Sequence, residues 1–197
     1  ERNEHLDLSF RYFNDISDIF QATRNPLEWA SVQLRIAQSY AKFGRKLNEP
    51  DLLQKAARFY KRSLDVYTQQ KYPLNWADIM TRLAKTMMLH GQMVKGAQSL
   101  EQAGVAFQAA LKVYTPEKYP ALWASTQNNL GATLFALAKR DPQTEAWLTH
   151  ALGCFQEARG YYHEINRMQM VHVIDKNIAR AEALKDQYEK DKENLFL

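Results

Sequence analysis

Residues 66–84 read VYTQQKYPLNWADIMTRLA, and residues 113–131 read VYTPEKYPALWASTQNNLG. Nine of the nineteen positions are identical, at an offset of 47 residues. Two unrelated amphipathic helices do not share that much by chance. The same spacing runs outward in both directions. Trp29, Trp76 and Trp123 each stand in Pro-x-x-Trp-Ala, opened by Pro26, Pro73 and Pro120. A second pattern, Ala-x-x-x-aromatic-x-x-small, recurs as Ala56/Tyr60/Ser63, Ala103/Phe107/Ala110 and Ala151/Phe155/Ala158, with a degenerate copy at Ser9/Phe13/Ile16. An aromatic ladder of Phe20, Tyr67, Tyr114 and Tyr162 keeps the same step until its last interval of 48, which places a one-residue insertion near Arg140-Asp141-Pro142. A fixed period of this length means a repeat architecture, in which each unit buries its apolar face only against the next.

Each repeat reads as two helices. The first begins at the proline, whose missing N–H would be unpaired at the first helical position anyway. Apolar residues then follow three and four apart: Trp29, Ile36, Tyr40 and Phe43 in one copy, Trp76, Leu83 and Met87 in the next. Gly44 and Gly91 fall near the ends of these helices, where a left-handed cap is expected. The second helix starts near Glu49-Pro50-Asp51, near Ser99 with Gln102 as a capping box, and at Asp141-Pro142. No segment alternates with period two for long enough to argue a strand. The chain is therefore expected to be all-α, with about eight helices over 4–22, 26–44, 50–70, 73–91, 97–116, 120–138, 143–162 and 167–191. Short loops make consecutive helices antiparallel neighbours.

Composition narrows the class further. Of 197 residues, 46% are apolar and 24% charged, and Gly and Pro number only 7 and 6. That is about half their usual share and argues against a turn-rich β-sandwich or barrel. The net charge of +4 is too small to point to nucleic acid, whose binding domains concentrate basic charge on one face. A single cysteine, Cys154, excludes an internal disulfide framework and a multi-thiolate metal site. Its place inside Ala151–Phe155 predicts a buried, inert thiol. No run approaches the roughly 18 apolar residues of a membrane span. The opening Glu-Arg-Asn-Glu-His has no signal-peptide pattern and no initiator Met, so the chain reads as a processed or excised piece of something longer, with a cytoplasmic location expected.

Leu130-Gly131-x-x-Leu134 followed by Ala151-x-x-x-Phe155-x-x-Ala158 resembles the tetratricopeptide repeat consensus. Leu83-Ala84-x-x-Met87 and Ile36-Ala37-x-x-Tyr40 occupy the same places in the preceding copies. The period of 47 exceeds the usual 34; the long form, with Trp-Ala and Gln127-Asn128-Asn129-Leu130-Gly131, is similar to repeats of large bacterial multidomain proteins, where the array accompanies a caspase-like peptidase or another effector domain. Longer helices absorb the extra residues. The resemblance implies an α-solenoid of antiparallel helix pairs with a right-handed superhelical twist. It would form one domain: a half repeat over 1–25, repeats over 26–72, 73–119 and 120–166, and a terminal or capping helix over 167–197.

In that family the first helix of each pair lines a concave groove. The resemblance then puts Arg35, Arg82, Asn129 and Asn177 on the groove side, together with Gln38, Asp78, Thr81, Lys85, Ser125, Asn128, Lys176 and Arg180. Lys176 and Arg180 beside Asn128 and Asn129 resemble the carboxylate clamp with which some members hold a peptide's terminal carboxylate. The i, i+4 spacing puts both cations on one helix face, and the amides could meet a peptide backbone. The plainer reading competes: Lys-x-x-x-Arg is common on any solvated helix, and a full clamp needs more positions than match.

Nothing in the sequence converges on catalysis. Among His5, His90, His150, His163 and His172, no two have the i, i+4 spacing of a helical zinc site. Gly-x-Gly and Gly-x-x-x-x-Gly-Lys phosphate loops are absent. The tryptophans and tyrosines, repeated at fixed register, read as inter-repeat packing rather than as a base-stacking platform. The expectation is a non-catalytic adaptor or scaffold with no cofactor and no metal. It would bind a protein or peptide ligand, acidic or with a free carboxylate, in its groove. It would engage neither nucleic acid nor membrane. A self-associating spacer, or the regulatory half of a larger effector enzyme, stands as the alternative.

Overall fold

The computed structural model describes Tyr12, residues 24–141 and residues 145–195. Among these residues there are seven α-helices and no strand: α1 (Pro26–Leu47), α2 (Pro50–Ser63), α3 (Pro73–Met93), α4 (Gln98–Leu111), α5 (Pro120–Ala138), α6 (Glu145–Glu164) and α7 (Met168–Leu195). The helix expected over 4–22 lies outside the described residues. So do Pro142, expected to open α6, and the early copy Ser9/Phe13/Ile16. The chain divides into two compact units between Val94 and Lys95. The first holds α1–α3 and the second α4–α7, and within each unit consecutive helices pack against one another.

In the first unit, a Cβ on Gly44 of α1 would meet the Leu53 side chain of α2 at 2.8 Å. Tyr40 stacks on Phe59 with ring centroids 5.5 Å apart, and the Arg62 guanidinium lies 5.6 Å from the Trp29 ring. As the number rises along α1 its partner's number falls along α2, so the pair is antiparallel. In the second unit Gly131 of α5 meets Phe155 and Ala151, and the Gln127 amide donates to Glu157 of α6. Arg159 and Glu145 of α6 pair with Asp175 and Lys192 of α7 at 2.5 and 3.0 Å. Both pairs again run antiparallel, so α5 and α7 are parallel.

The repeat seen in the sequence is a repeat of local structure. Ala30, Ala37 and Gly44 in α1, Ala77, Ala84 and Gly91 in α3, and Ala124, Gly131 and Ala138 in α5 are all buried. Small residues every seven positions give each first helix one side that a neighbouring helix can approach closely. The facing residues Ala56/Tyr60/Ser63, Ala103/Phe107/Ala110 and Ala151/Phe155/Ala158 are buried in every copy, as their spacing requires. Buried Thr86, Thr126 and Thr133 donate to their own helix carbonyls at 2.7–2.9 Å, so the core carries these hydroxyls with a partner at hand.

The two junctions after α2 and α4 are wired alike. Tyr67 and Tyr114 N–H donate to Ser63 and Ala110 carbonyls at 3.0 Å, and Tyr72 and Tyr119 N–H donate to Thr68 and Thr115 at 2.9 Å. Tyr67 packs edge-on to Tyr72, and Tyr114 to Tyr119. These turns end α2 at Ser63 and α4 at Leu111, short of the 70 and 116 expected from apolar spacing. Val66, Tyr67 and Thr68 carry a period that continues the helix on paper, but their N–H groups close turns instead. Two capping expectations also change. Gly44 and Gly91 lie inside their helices, buried and not left-handed; at Gly44 a side chain would run into Leu53. The left-handed positions are Asn48 (φ 57°), Asn166 (φ 55°) and Gly96 (φ 92°); Glu49 N–H and Arg167 N–H reach back to Gly44 and Tyr162 carbonyls, closing α1 and α6. Ser99 sits within the first turn of α4, whose N-cap is Ala97, with no side-chain cap bond.

Candidate functional site

In the first unit a solvent-open groove of about 330 Å³ runs between α1 and α3 over α2. Its position follows from the packing. Leu53 closes on Gly44 and Tyr60 is buried beneath α3, which leaves the exposed sides of α1 and α3 as two walls. Gln38, Lys42 and Arg45 stand on the α1 wall, and Arg82, Lys85 and Leu89 on the α3 wall. The spacings 38/42/45 and 82/85/89 are the three- and four-residue steps that put side chains on one helix face. Four cations therefore line the groove, and none of its lining residues carries a carboxylate.

Electrostatics within the groove are partly balanced. Arg82 Nε donates to Asp78 Oδ2 at 2.7 Å across one turn of α3, with both side chains about half exposed. Such a pair is worth a few tenths of a kcal/mol. Burial pushes the Tyr60 hydroxyl up to about 12, a shift that Arg82 opposes and Asp78 adds to. The phenol at the floor is therefore a neutral hydrogen-bonding group throughout the physiological range.

Of the residues expected on a groove from the sequence, Gln38, Arg82 and Lys85 come together here, with Asp78 paired to Arg82. Arg35 is exposed and lines a separate shallow surface with Leu27, Glu28, Ser31 and Val32. Lys42 and Arg45 were missed. Their signal was available in the sequence, since they continue the Gln38 stripe by four and seven residues.

The remaining expected residues belong to the second unit. Asn129 donates to the Ser125 carbonyl of its own helix at 2.8 Å. Asn128 keeps a buried Oδ1 without a hydrogen-bond partner. Burial pushes the Tyr162 hydroxyl up, with Tyr161 adding and a hydrogen bond to the Ser125 side chain opposing. Arg180 lies over the Phe135 ring at 5.5 Å from its centroid. Lys176 is exposed and Asn177 half-buried on the same helix.

Among the described residues no group of three or more His, Cys, Asp or Glu is placed to hold a metal, and no helix is long and apolar enough to cross a membrane. Cys154 is buried, as its sequence context predicted, and burial together with the Glu157 charge pushes its thiol up to about 12. Scanned against family models, curated proteins and solved structures, the chain matches none of them.

Proposed function

We propose that this chain is a non-catalytic interaction module, a tetratricopeptide-like repeat scaffold whose first unit holds an acidic segment of a partner protein. The observation that carries the reading is the groove lined by Lys42, Arg45, Arg82 and Lys85 with no carboxylate among its lining residues. A segment of alternating carboxylates complements that surface, and its entry beside half-buried Leu89 adds apolar contact that free ions lack. The two helical walls are held by buried small-residue packing, so the cations are displayed on rigid elements, as a recognition surface requires. Long-range attraction between such charges is screened over about 8 Å at physiological ionic strength, and affinity is expected to fall steeply with salt. Calorimetry with a hexaglutamate peptide at low salt tests the assignment. Arg82→Glu with Lys85→Glu abolishes binding while the helical circular dichroism is unchanged; undiminished binding by that double variant refutes it.

A second reading, self-association, draws on exposed Ile165, Met168 and Val173 around the α6–α7 connection, since exposed apolar groups close together in a chain favour contact with another surface. Light scattering across a concentration series decides it, and a constant monomer mass rules it out.

A further inference from the structure

The repeat register provides an internal comparison for the groove. It aligns α1 with α5 at an offset of 94 residues, and α2 and α3 with α6 and α7 at 95. Under this alignment Arg45 corresponds to Lys139, Lys85 to Arg180, and Leu53 to Leu148. In the second unit the surface between these residues is filled from within the chain. Phe135 occupies it, with the Lys139 ammonium 6.0 Å and the Arg180 guanidinium 5.5 Å from the ring centroid. In the first unit the place of Phe135 is taken by Ala41, which lines the open groove. The two flanking cations are retained while the ring between them is missing. Two more cations are added, since Lys42 and Arg82 stand where the second unit has Ala136 and Asn177.

We propose that the groove of the first unit takes an aromatic side chain from a partner segment, seated over Ala41 between Arg45 and Lys85, with carboxylates next to that residue meeting Lys42 and Arg82. This rests on the reading of the groove as a site for an acidic segment and names the anchor within it. The second unit shows that this pair of helices, with a cation on each wall, accommodates a ring in contact with both charges. A cation over an aromatic face is attracted by the ring's quadrupole, and the ring's removal leaves both cations without that partner. Filling the groove from outside also covers apolar surface of half-buried Leu89. Lys42 and Arg82 have no counterparts in the filled unit, where the ring belongs to the chain itself. Both are exposed, Arg82 with its Nε bonded to Asp78, and a foreign acidic segment would meet both.

Calorimetry with two acetylated, amidated pentapeptides, Glu-Asp-Phe-Asp-Glu and Glu-Asp-Ala-Asp-Glu, tests this on the full chain. The phenylalanine peptide is expected to bind about tenfold more tightly than the alanine peptide, the combined effect of contact with two cations and the buried ring. Ala41→Phe, which copies the second unit's ring into the first, is expected to erase that preference without lowering the unfolding midpoint. Ala41→Met fills the same space with a flexible side chain and serves if the larger ring is not tolerated. Equal binding of the two peptides to the unaltered chain overturns the aromatic anchor, as does a preference that survives Ala41→Phe and Ala41→Met. If the equal binding is still lost in the Arg82→Glu/Lys85→Glu variant, only the anchor falls and the acidic-segment reading stands. If neither peptide binds, both fall.

Discussion

A methyl group added at Gly131 would sit 2.8 Å from Phe155 Cε1 and 3.1 Å from the Ala151 carbonyl oxygen. Alanine gains about 1 kcal/mol over glycine inside a helix, but forcing a buried ring aside costs about 1–3 kcal/mol. Gly131→Ala therefore lowers the unfolding free energy in denaturant titration, whereas Gly153→Ala, with nothing within 4 Å, raises it by about 1 kcal/mol. Cys154 makes a prediction of another kind. Its thiol rises from an ordinary 9.0 to about 12 in the folded chain, so between those values the unfolded chain has released a proton that the native one still binds. Stability falls as pH climbs through that window, by up to about 1.4 kcal/mol per pH unit for a single group. Cys154→Ala removes that part of the alkaline loss, read as a flatter profile of unfolding midpoint between pH 9 and 11. The burial of this thiol was legible in the sequence from its apolar neighbours. The role of Gly44 was not, because a close approach and a left-handed cap both ask for glycine near a helix end, and only the position of Leu53 tells them apart.

At the scale of helices, the repeats predict one another. Ser63 is buried and donates to its own helix at the Tyr60 carbonyl, 2.7 Å away, while the equivalent residues are Ala110 and Ala158. Ser63→Ala thus loses a bond of a kind that alanine-bearing copies do without, and its effect on the thermal midpoint corresponds to less than about 0.5 kcal/mol. Ala84 offers no such latitude. It is fully buried in the small-residue series of α3, and Ala84→Leu separates the helices, at a cost of about 1–3 kcal/mol in chemical denaturation. Helix starts were readable because Pro26, Pro50, Pro73 and Pro120 punctuate the chain by a local rule, and each stands at the head of its helix. Helix ends were not readable to the same degree. Val66-Tyr67-Thr68 keeps apolar spacing past the point where the backbone turns, and its aromatic residue packs on Tyr72 instead of on the helix face.

For the whole molecule, the division between Val94 and Lys95 gives a cooperative expectation. Leu53→Ala removes a fully buried side chain of the first unit and costs about 2–5 kcal/mol. Hydrogen exchange is expected to rise across α1–α3 and to change less in α5–α7, because a residue reports first on the contacts of its own cluster; an equal rise throughout would show that the chain opens as one. The periodicity made the all-helical architecture legible, whereas this division leaves no mark on a pattern that repeats straight through residue 94. The basic groove was half legible: Arg82 and Lys85 stood among the positions expected on a groove, and Lys42 and Arg45 continue the Gln38 stripe, but that the two stripes face each other follows only from α1 and α3 standing as opposite walls. The near-identical junctions after α2 and α4 have a cost during folding. A chain holding two copies of one connector holds two addresses for the helix that follows it, so α3 of one molecule can be offered the seat of α5 in another. Intramolecular docking wins that contest by proximity alone, and the advantage shrinks as chains are crowded together. The faithful copying that makes this architecture easy to recognise also makes it open to exchange between molecules.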